Sequence, residues 1–246
     1  MTANLAVPST LSGYQRPLLA RDQEAGVPLQ RGVVIASGLH AAASGSAPVR
    51  NLIKFIGDWH PDRVLLLAPQ GGWCNPKKSV CSGFVGFLEA LRGSYNLPVT
   101  IQMNALPAPG TTTSAWSRTC LSALRSLDVD THAGIYAITP GWYSLCVNGR
   151  TQKGNPGSLA MTLARTLRAS VMCSGTGRLA SVGESHEDSQ DLSRPLWGVE
   201  TGYVGASSGS TASGFALLAM HKGGPQPVMI PINSSGTFTV DGVAYG

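Results

Sequence analysis

The chain has 246 residues, of which only 13% are charged, and its formal net charge is +5. The length suffices for one large core or two modest ones, and the charged fraction is about half of the roughly 25% usual for soluble domains. No run reaches the about 20 apolar residues of a membrane helix, and the start lacks a signal-peptide core. We therefore expect no membrane contact, a virion or cytoplasmic location, and no secretion through a signal peptide.

The basic residues and the cysteines are both spread along the chain. Lys77-Lys78 is the one adjacent pair among 18 Lys and Arg, so contact with nucleic acid would be weak and would not come from a basic tail. The five cysteines include no CxxC pair, which favours free, buried thiols. No cofactor is predicted.

In chain order, residues 1–30 hold three prolines and no period of 2 or 3.6, which is typical of an extended arm. Residues 31–37 form a short apolar strand. A helix is predicted from Ala47-Pro48, with apolar residues at helical spacing up to Trp59, and residues 63–69 follow as a buried strand. This strand–helix–strand order is typical of an α/β unit.

The same order repeats along the next hundred residues. Val80 to Leu91 fits one helical face, 98–105 alternates like a strand, and 111–127 has capping threonines and an apolar stripe. Strands are predicted at 133–140 and 142–147, and a helix opens at Asn155-Pro156. The pattern predicts a layered, alternating strand–helix core over 31–177.

After residue 177, short apolar runs are divided by Gly, Ser and Pro, which predicts a β-rich region over 178–246. Its strongest signal is a hairpin across Asp241-Gly242. This region either forms its own domain or adds strands to the first. An all-β sandwich of the jelly-roll type, with helices confined to connections, is the alternative for the whole chain.

One stretch of sequence carries a possible catalytic motif. Ser208-Gly209 followed by His221 resembles the nucleophile and pocket region of chymotrypsin-like viral proteases. The resemblance implies Ser208 as nucleophile, Thr201 and His221 as pocket residues, and His40 with Asp62 as base and acid. The spacing of His40 and Asp62 fits the family poorly, and the usual GxSGG-like core is missing. A Gly/Ser-rich turn before a buried strand is the simpler interpretation.

Residues 205–209 also match G-x-S-x-G, which would place a nucleophile at Ser207. That arrangement requires an acid and then a histidine downstream. His221 and Asp241 follow in the opposite order, so a chance match in a Gly/Ser-rich segment is preferred.

The loops that follow the predicted strands suggest a ligand site. In a Rossmann-like domain, residues 38–40, 70–73 and 141–143 would meet at the strand ends, with His40, Gln70, Gly71, Gly72 and Gly141 contacting a nucleotide or methyl donor. Glycine is also needed in any tight turn after a buried strand, which is the structural alternative.

An acidic segment near residue 186 is a candidate metal site. Glu184, His186 and Asp188 would share one face of an extended segment and could hold a hard cation between subunits. The alternative is a solvated polar loop.

The scarcity of charge bears most directly on function. Residues 201–240 contain one formal charge, Lys222, and Gly, Ala, Ser and Pro are abundant. This composition is similar to that of small RNA-virus coat proteins, and the resemblance implies a structural protein of a virion: a self-assembling homo-oligomer that forms a shell or filament and binds copies of itself. We prefer this interpretation to the Rossmann-like nucleotide-binding or catalytic domain, and place the protease third, because a surface covered by other copies needs few charges.

Overall fold

A computed structural model of the chain describes residues 29–39, 45–68, 78–103, 122, 124–147, 154–185, 195–205 and 212–246. Within these ranges the chain is mixed α/β, with more strand than helix, which confirms the coarse fold prediction. The helices are α1 (Ala47–Trp59), α2 (Lys78–Ser94) and α3 (Ser158–Leu167). The first strands are β1 (Gly32–Ser37), β2 (Arg63–Ala68), β3 (Val99–Met103) and β4 (Asp130–Ala133).

The later strands are shorter and closer together in sequence. They are β5 (Tyr136–Thr139), β6 (Trp142–Cys146), β7 (Ser170–Ser174), β8 (Leu179–Glu184), β9 (Leu196–Thr201), β10 (Gly214–His221), β11 (Gly224–Pro231), β12 (Phe238–Val240) and β13 (Val243–Tyr245).

Two sheets contain eleven of these strands. Sheet A has the order β11-β10-β1-β2-β3-β4, and sheet B has the order β5-β6-β7-β9-β8. In sheet A, β1 to β4 run parallel and β10 pairs antiparallel with β1. In sheet B, β6, β7 and β9 run parallel. Both sheets therefore mix parallel and antiparallel pairs, whereas jelly rolls are antiparallel.

The two sheets pack face to face. Alternate residues of β1 and β2, such as Val33 and Leu65, join Trp142, Met172 and Val199 of sheet B in one buried cluster. Side chains alternate between the two faces of a strand, so the intervening residues lie on the outer faces and point away from the partner sheet.

Helices cover those outer faces. Val34 and Leu66 pack with Phe55 of α1 and Leu88 of α2 on the far side of sheet A. The far side of sheet B is covered by α3, whose Leu159, Met161 and Leu163 pack on Val171 and Cys173. Each sheet thus lies between its partner sheet and a layer of helix.

The carboxyl-terminal hairpin closes the outer core of sheet A. Asp241 and Gly242 both have positive φ, 51° and 81°, the conformation of a tight two-residue hairpin turn, which confirms the predicted hairpin. Phe238 and Tyr245 stack with ring centroids 5.3 Å apart, and both contact Phe55 of α1 edge to face.

Several element boundaries differ from the predicted ones. The predicted strand 133–140 is divided by Gly134, whose φ of 82° breaks the extended chain between β4 and β5. The helix expected from Asn155-Pro156 begins at Ser158, because Gly157 has a φ of 84°. The sequence patterns also missed β7 and β8.

The predicted division of the chain at 177/178 falls in the turn between β7 and β8, inside sheet B. Of the later strands, β8 and β9 join sheet B, while β10 and β11 join sheet A. The region 178–246 therefore adds strands to both sheets. Residues 1–28 of the predicted arm lie outside the described part of the chain.

Candidate functional site

The strand ends of both sheets meet at one edge, which we call the carboxyl edge: the carboxyl ends of β1, β2, β3, β6, β7 and β9. The backbone N–H of Val204, just after β9, donates to the carbonyl of Ser37 at the end of β1 over 2.9 Å. The thiol of Cys146, at the end of β6, contacts the carbonyl of Gln102 over 3.2 Å. Ligands of open α/β sheets bind at such edges, so a ligand site is expected at this one.

The layer between the sheets becomes polar at the carboxyl edge. Gln102 of β3 donates from Nε2 to the carbonyl of Ser144 over 2.7 Å, and the Ser144 hydroxyl donates to Gln102 Oε1. The Ser37 hydroxyl donates to the carbonyl of Gly202, and Thr201 donates to the carbonyl of Cys173 over 3.3 Å. All four of these polar side chains are buried.

Two further polar side chains at the carboxyl edge are buried without a partner. Neither carboxyl oxygen of Glu200 nor the hydroxyl of Ser174 forms a hydrogen bond with the described residues, and the two residues are 0% and 1% exposed. Buried polar groups are almost always hydrogen-bonded, and an unsatisfied one costs about 1–3 kcal/mol. These two groups therefore need an explanation.

Glu200 lies between sheet B and the start of α3. It is in register with Cys173 on one side and Ala180 on the other, and Cys173 packs in the cluster formed with α3. Two residues earlier, on the same face, Gly198 touches the backbone of Met161. The first turn of α3 contains no acidic residue and no side-chain cap.

The Cys173 thiol lies next to Glu200, on the neighbouring strand. Burial raises its pKa well above the usual 9.0, and the neighbouring Glu200 and Cys146 raise it further. Cys173 is therefore a protonated, unreactive thiol at neutral pH. Neither Cys146 nor Cys173, the two described cysteines, forms a disulfide, and Cys173 is buried whereas Cys146 is half-buried. Cys74, Cys81 and Cys120 carry no described side chain.

Tight glycine turns bring the backbone close to the edge. A Cβ at Gly38, whose φ is 69°, would lie 2.2 Å from the ring of Tyr203, so the chain after β1 can pass only as glycine. Gly175 has a φ of 94° and would place a Cβ 2.0 Å from the carbonyl oxygen of Val147. Burial raises the pKa of Tyr203. Both turns therefore pack tightly against neighbouring residues of the protein.

The predicted nucleotide site is only partly described. His40, Gln70, Gly71 and Gly72 lie outside the described residues. Gly141 lies in the turn between β5 and β6, where its carbonyl accepts from the N–H of Ser170 over 3.0 Å. That turn is at the start of β6, the opposite end from the carboxyl edge, so Gly141 does not join a site there.

The protease residues are not brought together where they are described. Ser208 and His40, like Ser207 of the G-x-S-x-G match, lie outside the described residues. The Asp62 carboxylate accepts the backbone N–H groups of residues 30, 31 and 32 over 2.9, 2.8 and 2.7 Å, at the start of β1. The end of β1, from which the chain leads to His40, is a strand length of about 20 Å away, so Asp62 caps a strand.

The two predicted pocket residues are also separated. Thr201 ends β9 at the carboxyl edge, whereas His221 ends β10, which runs antiparallel to β1. His221 is therefore at the opposite edge, and the two cannot line one pocket.

The predicted metal site is not formed by the part that is described. Glu184 forms an ion pair with Arg165, whose Nε donates to Glu184 Oε2 over 2.9 Å. His186 and Asp188 lie outside the described residues. Within the described ranges, no three His, Cys, Asp or Glu side chains are grouped closely enough to hold a metal ion.

Sequence reasoning missed Glu200, Ser174 and Gln102. A signal existed for Glu200, because it is the one acidic residue between Pro195 and Val240 and lies in a strand-like run. Gln102 was included in a predicted strand, but nothing local showed that its face would meet a second sheet.

No protein-family model and no curated protein matches the chain. Among solved structures, the protein TT1561 of Thermus thermophilus aligns with a TM-score of 0.44 and 13% identity, over 81% of this chain and 98% of that one. A likeness of this size carries no argument about fold or function. None of the described helices has the length and apolar character required to cross a membrane.

Proposed function

We propose that the chain is a ligand-binding or catalytic α/β domain whose site lies at the carboxyl edge. The observation that carries the proposal is Glu200, which is buried and has no hydrogen-bond partner among the described residues. A protein that leaves an acid unsatisfied in its interior loses stability, and such losses are concentrated at functional sites.

The ligand class follows from the groups on offer. Both Glu200 oxygens accept hydrogen bonds. A nucleotide suits such an acid, because an acid near a strand end accepts from ribose hydroxyls in nucleotide-binding domains of this type.

The finer description of the fold belongs to the same proposal. We infer a layered strand–helix core over 31–177 rather than a jelly roll, supported by the parallel pairing of β1 with β2 and of β6 with β7. A ligand site at the carboxyl ends of strands presupposes this parallel arrangement.

The test is a thermal-shift screen with nucleoside mono-, di- and triphosphates. A nucleotide at a hundred times its Kd stabilises the native state by about 2.7 kcal/mol, and Glu200→Gln should reduce that shift. Glu89→Gln, on the exposed face of α2, is the matched control and should keep it. If no nucleotide stabilises the wild type, or if Glu200→Gln responds like the wild type, the proposal fails.

Self-assembly is a second candidate, favoured by the 13% charged fraction of the sequence. The coat-like role, in a virion and with copies of the same chain as partners, belongs to this candidate. It stands second because, among the described residues, the large exposed apolar side chains are limited to Val228 and Val243. Light scattering tests this candidate. Uniform particles far above 25.6 kDa would support self-assembly, and a monomer would rule it out.

A further inference from the structure

A second cleft lies at the opposite end of the parallel strands, which we call the amino edge. Its volume is about 640 Å³, and it is bounded by the end of α3, the starts of β6, β7 and β9, and the turn between β10 and β11. Small-molecule sites commonly have volumes of about 300–1,000 Å³. The cleft is therefore large enough for a ligand with a ring system, and it is separate from the carboxyl edge.

Unpaired donors line the cleft. Trp142, Trp197 and Arg168 line it, and neither the indole N–H groups nor the guanidinium bonds to another described residue. Trp142 is only 5% exposed, so most of its ring is packed in the protein.

The charges of the cleft favour an anion. Arg165 is paired with Glu184 through two hydrogen bonds, which leaves the charge of Arg168 without an opposite charge among the described residues. The end of α3 does not cancel it, because the carbonyls of Ala164 and Arg165 already accept from the backbone N–H of Arg168 and Ala169. One free guanidinium beside two indoles provides a charged contact and an apolar wall.

We propose that this cleft binds a small planar aromatic anion, with its carboxylate or phosphate on Arg168 and its ring against the tryptophans. Arg168 presents a fork of N–H donors that matches a carboxylate or phosphate. The indole N–H groups add neutral donors, and the largely buried Trp142 forms a rigid part of the cleft wall. The proposal goes beyond the carboxyl-edge site and does not depend on it.

The probe is 1-naphthoate, titrated by calorimetry. We expect a Kd below about 1 mM for the wild type and an affinity loss of about tenfold or more for Arg168→Ala, because a charge-assisted hydrogen bond contributes about 1.5–3 kcal/mol. Arg125→Ala, another exposed arginine, is the matched control and should bind like the wild type. Glu184→Gln should bind more tightly, because it frees Arg165 for the anion.

Two comparison ligands separate the parts of the proposal. The neutral alcohol 1-naphthalenemethanol and inorganic phosphate should each bind more weakly than 1-naphthoate. The proposal is overturned if 1-naphthoate shows no binding, if Arg168→Ala binds it like the wild type, or if the alcohol binds as tightly. Glu200→Gln should leave 1-naphthoate binding unchanged, which separates this result from the nucleotide screen.

Discussion

The two ends of the parallel strands treat acidic residues in opposite ways. At the amino edge, Asp62 accepts three backbone N–H groups and Glu184 pairs with Arg165. At the carboxyl edge, Glu200 is fully buried and has no partner among the described residues. The two acids at the amino edge have partners, whereas the unsatisfied Glu200 lowers the stability of the fold. The comparison teaches that the carboxyl edge is the place where the fold gives up stability, as functional sites do.

The largest expected effect comes from the packing beneath Glu200. A Cβ on Gly198 would lie 2.3 Å from the backbone nitrogen of Met161, so Gly198→Ala must push α3 away from β9. We expect a loss of about 3 kcal/mol in the free energy of unfolding, measured by urea denaturation. Gly86→Ala in α2, where the added methyl meets nothing within 4 Å, should instead stabilise by about 0.5–1 kcal/mol. Equal effects of the two substitutions would contradict the described packing.

The next largest effect is expected at the amino edge, where Asp62 accepts three backbone hydrogen bonds. Asp62→Ala leaves three backbone donors of residues 30–32 without their acceptor, and we expect a loss of about 2 kcal/mol in the free energy of unfolding. Asp58→Ala, an exposed acid in α1, should change stability by less than about 0.5 kcal/mol. If Asp62→Ala lowers the free energy of unfolding by no more than Asp58→Ala does, the amino edge does not depend on the Asp62 cap.

The smallest effect concerns pH. Because the pKa of the Cys173 thiol is raised in the folded state, the unfolded chain loses this proton first as pH rises. The stability contribution is complete below the ordinary thiol pKa and declines above it. Between pH 8 and 10 the wild type should lose about 1 kcal/mol more than Cys173→Ala. A Cys173→Ala slope equal to that of the wild type would contradict the assignment.

The sequence predicts local elements well and their assembly poorly. The Ala47-Pro48 helix start and the Asp241-Gly242 hairpin are confirmed because each depends on neighbouring residues. The pairing of β10 with β1 joins residues such as Ala219 and Gly32, and no local pattern specifies so distant a partner. For the same reason, the polar positions of β3 and β6 could not be recognised as facing each other.

The candidate site was harder to predict than the fold. Glycine-rich motifs predicted sites at residues 38–40, 70–73 and 205–209. Glycine is also required in tight turns, and Gly38 and Gly175 both have the positive φ of such turns. The unsatisfied Glu200 becomes visible only when β7, β8 and α3 surround it. Burial without a partner is a tertiary property, so a single charged residue in an apolar run is the most that the sequence could offer.

The most direct test of the account is the free energy of unfolding of Glu200→Met in the absence of ligand, measured by urea denaturation beside the wild type. Methionine has a similar shape and removes the unsatisfied oxygens, so we expect the variant to be more stable by about 2 kcal/mol. Glu89→Met, at an exposed position of α2, should change stability by less than about 0.5 kcal/mol. A Glu200→Met variant less stable than the wild type would show that Glu200 supports the fold, and would contradict its assignment to a binding site.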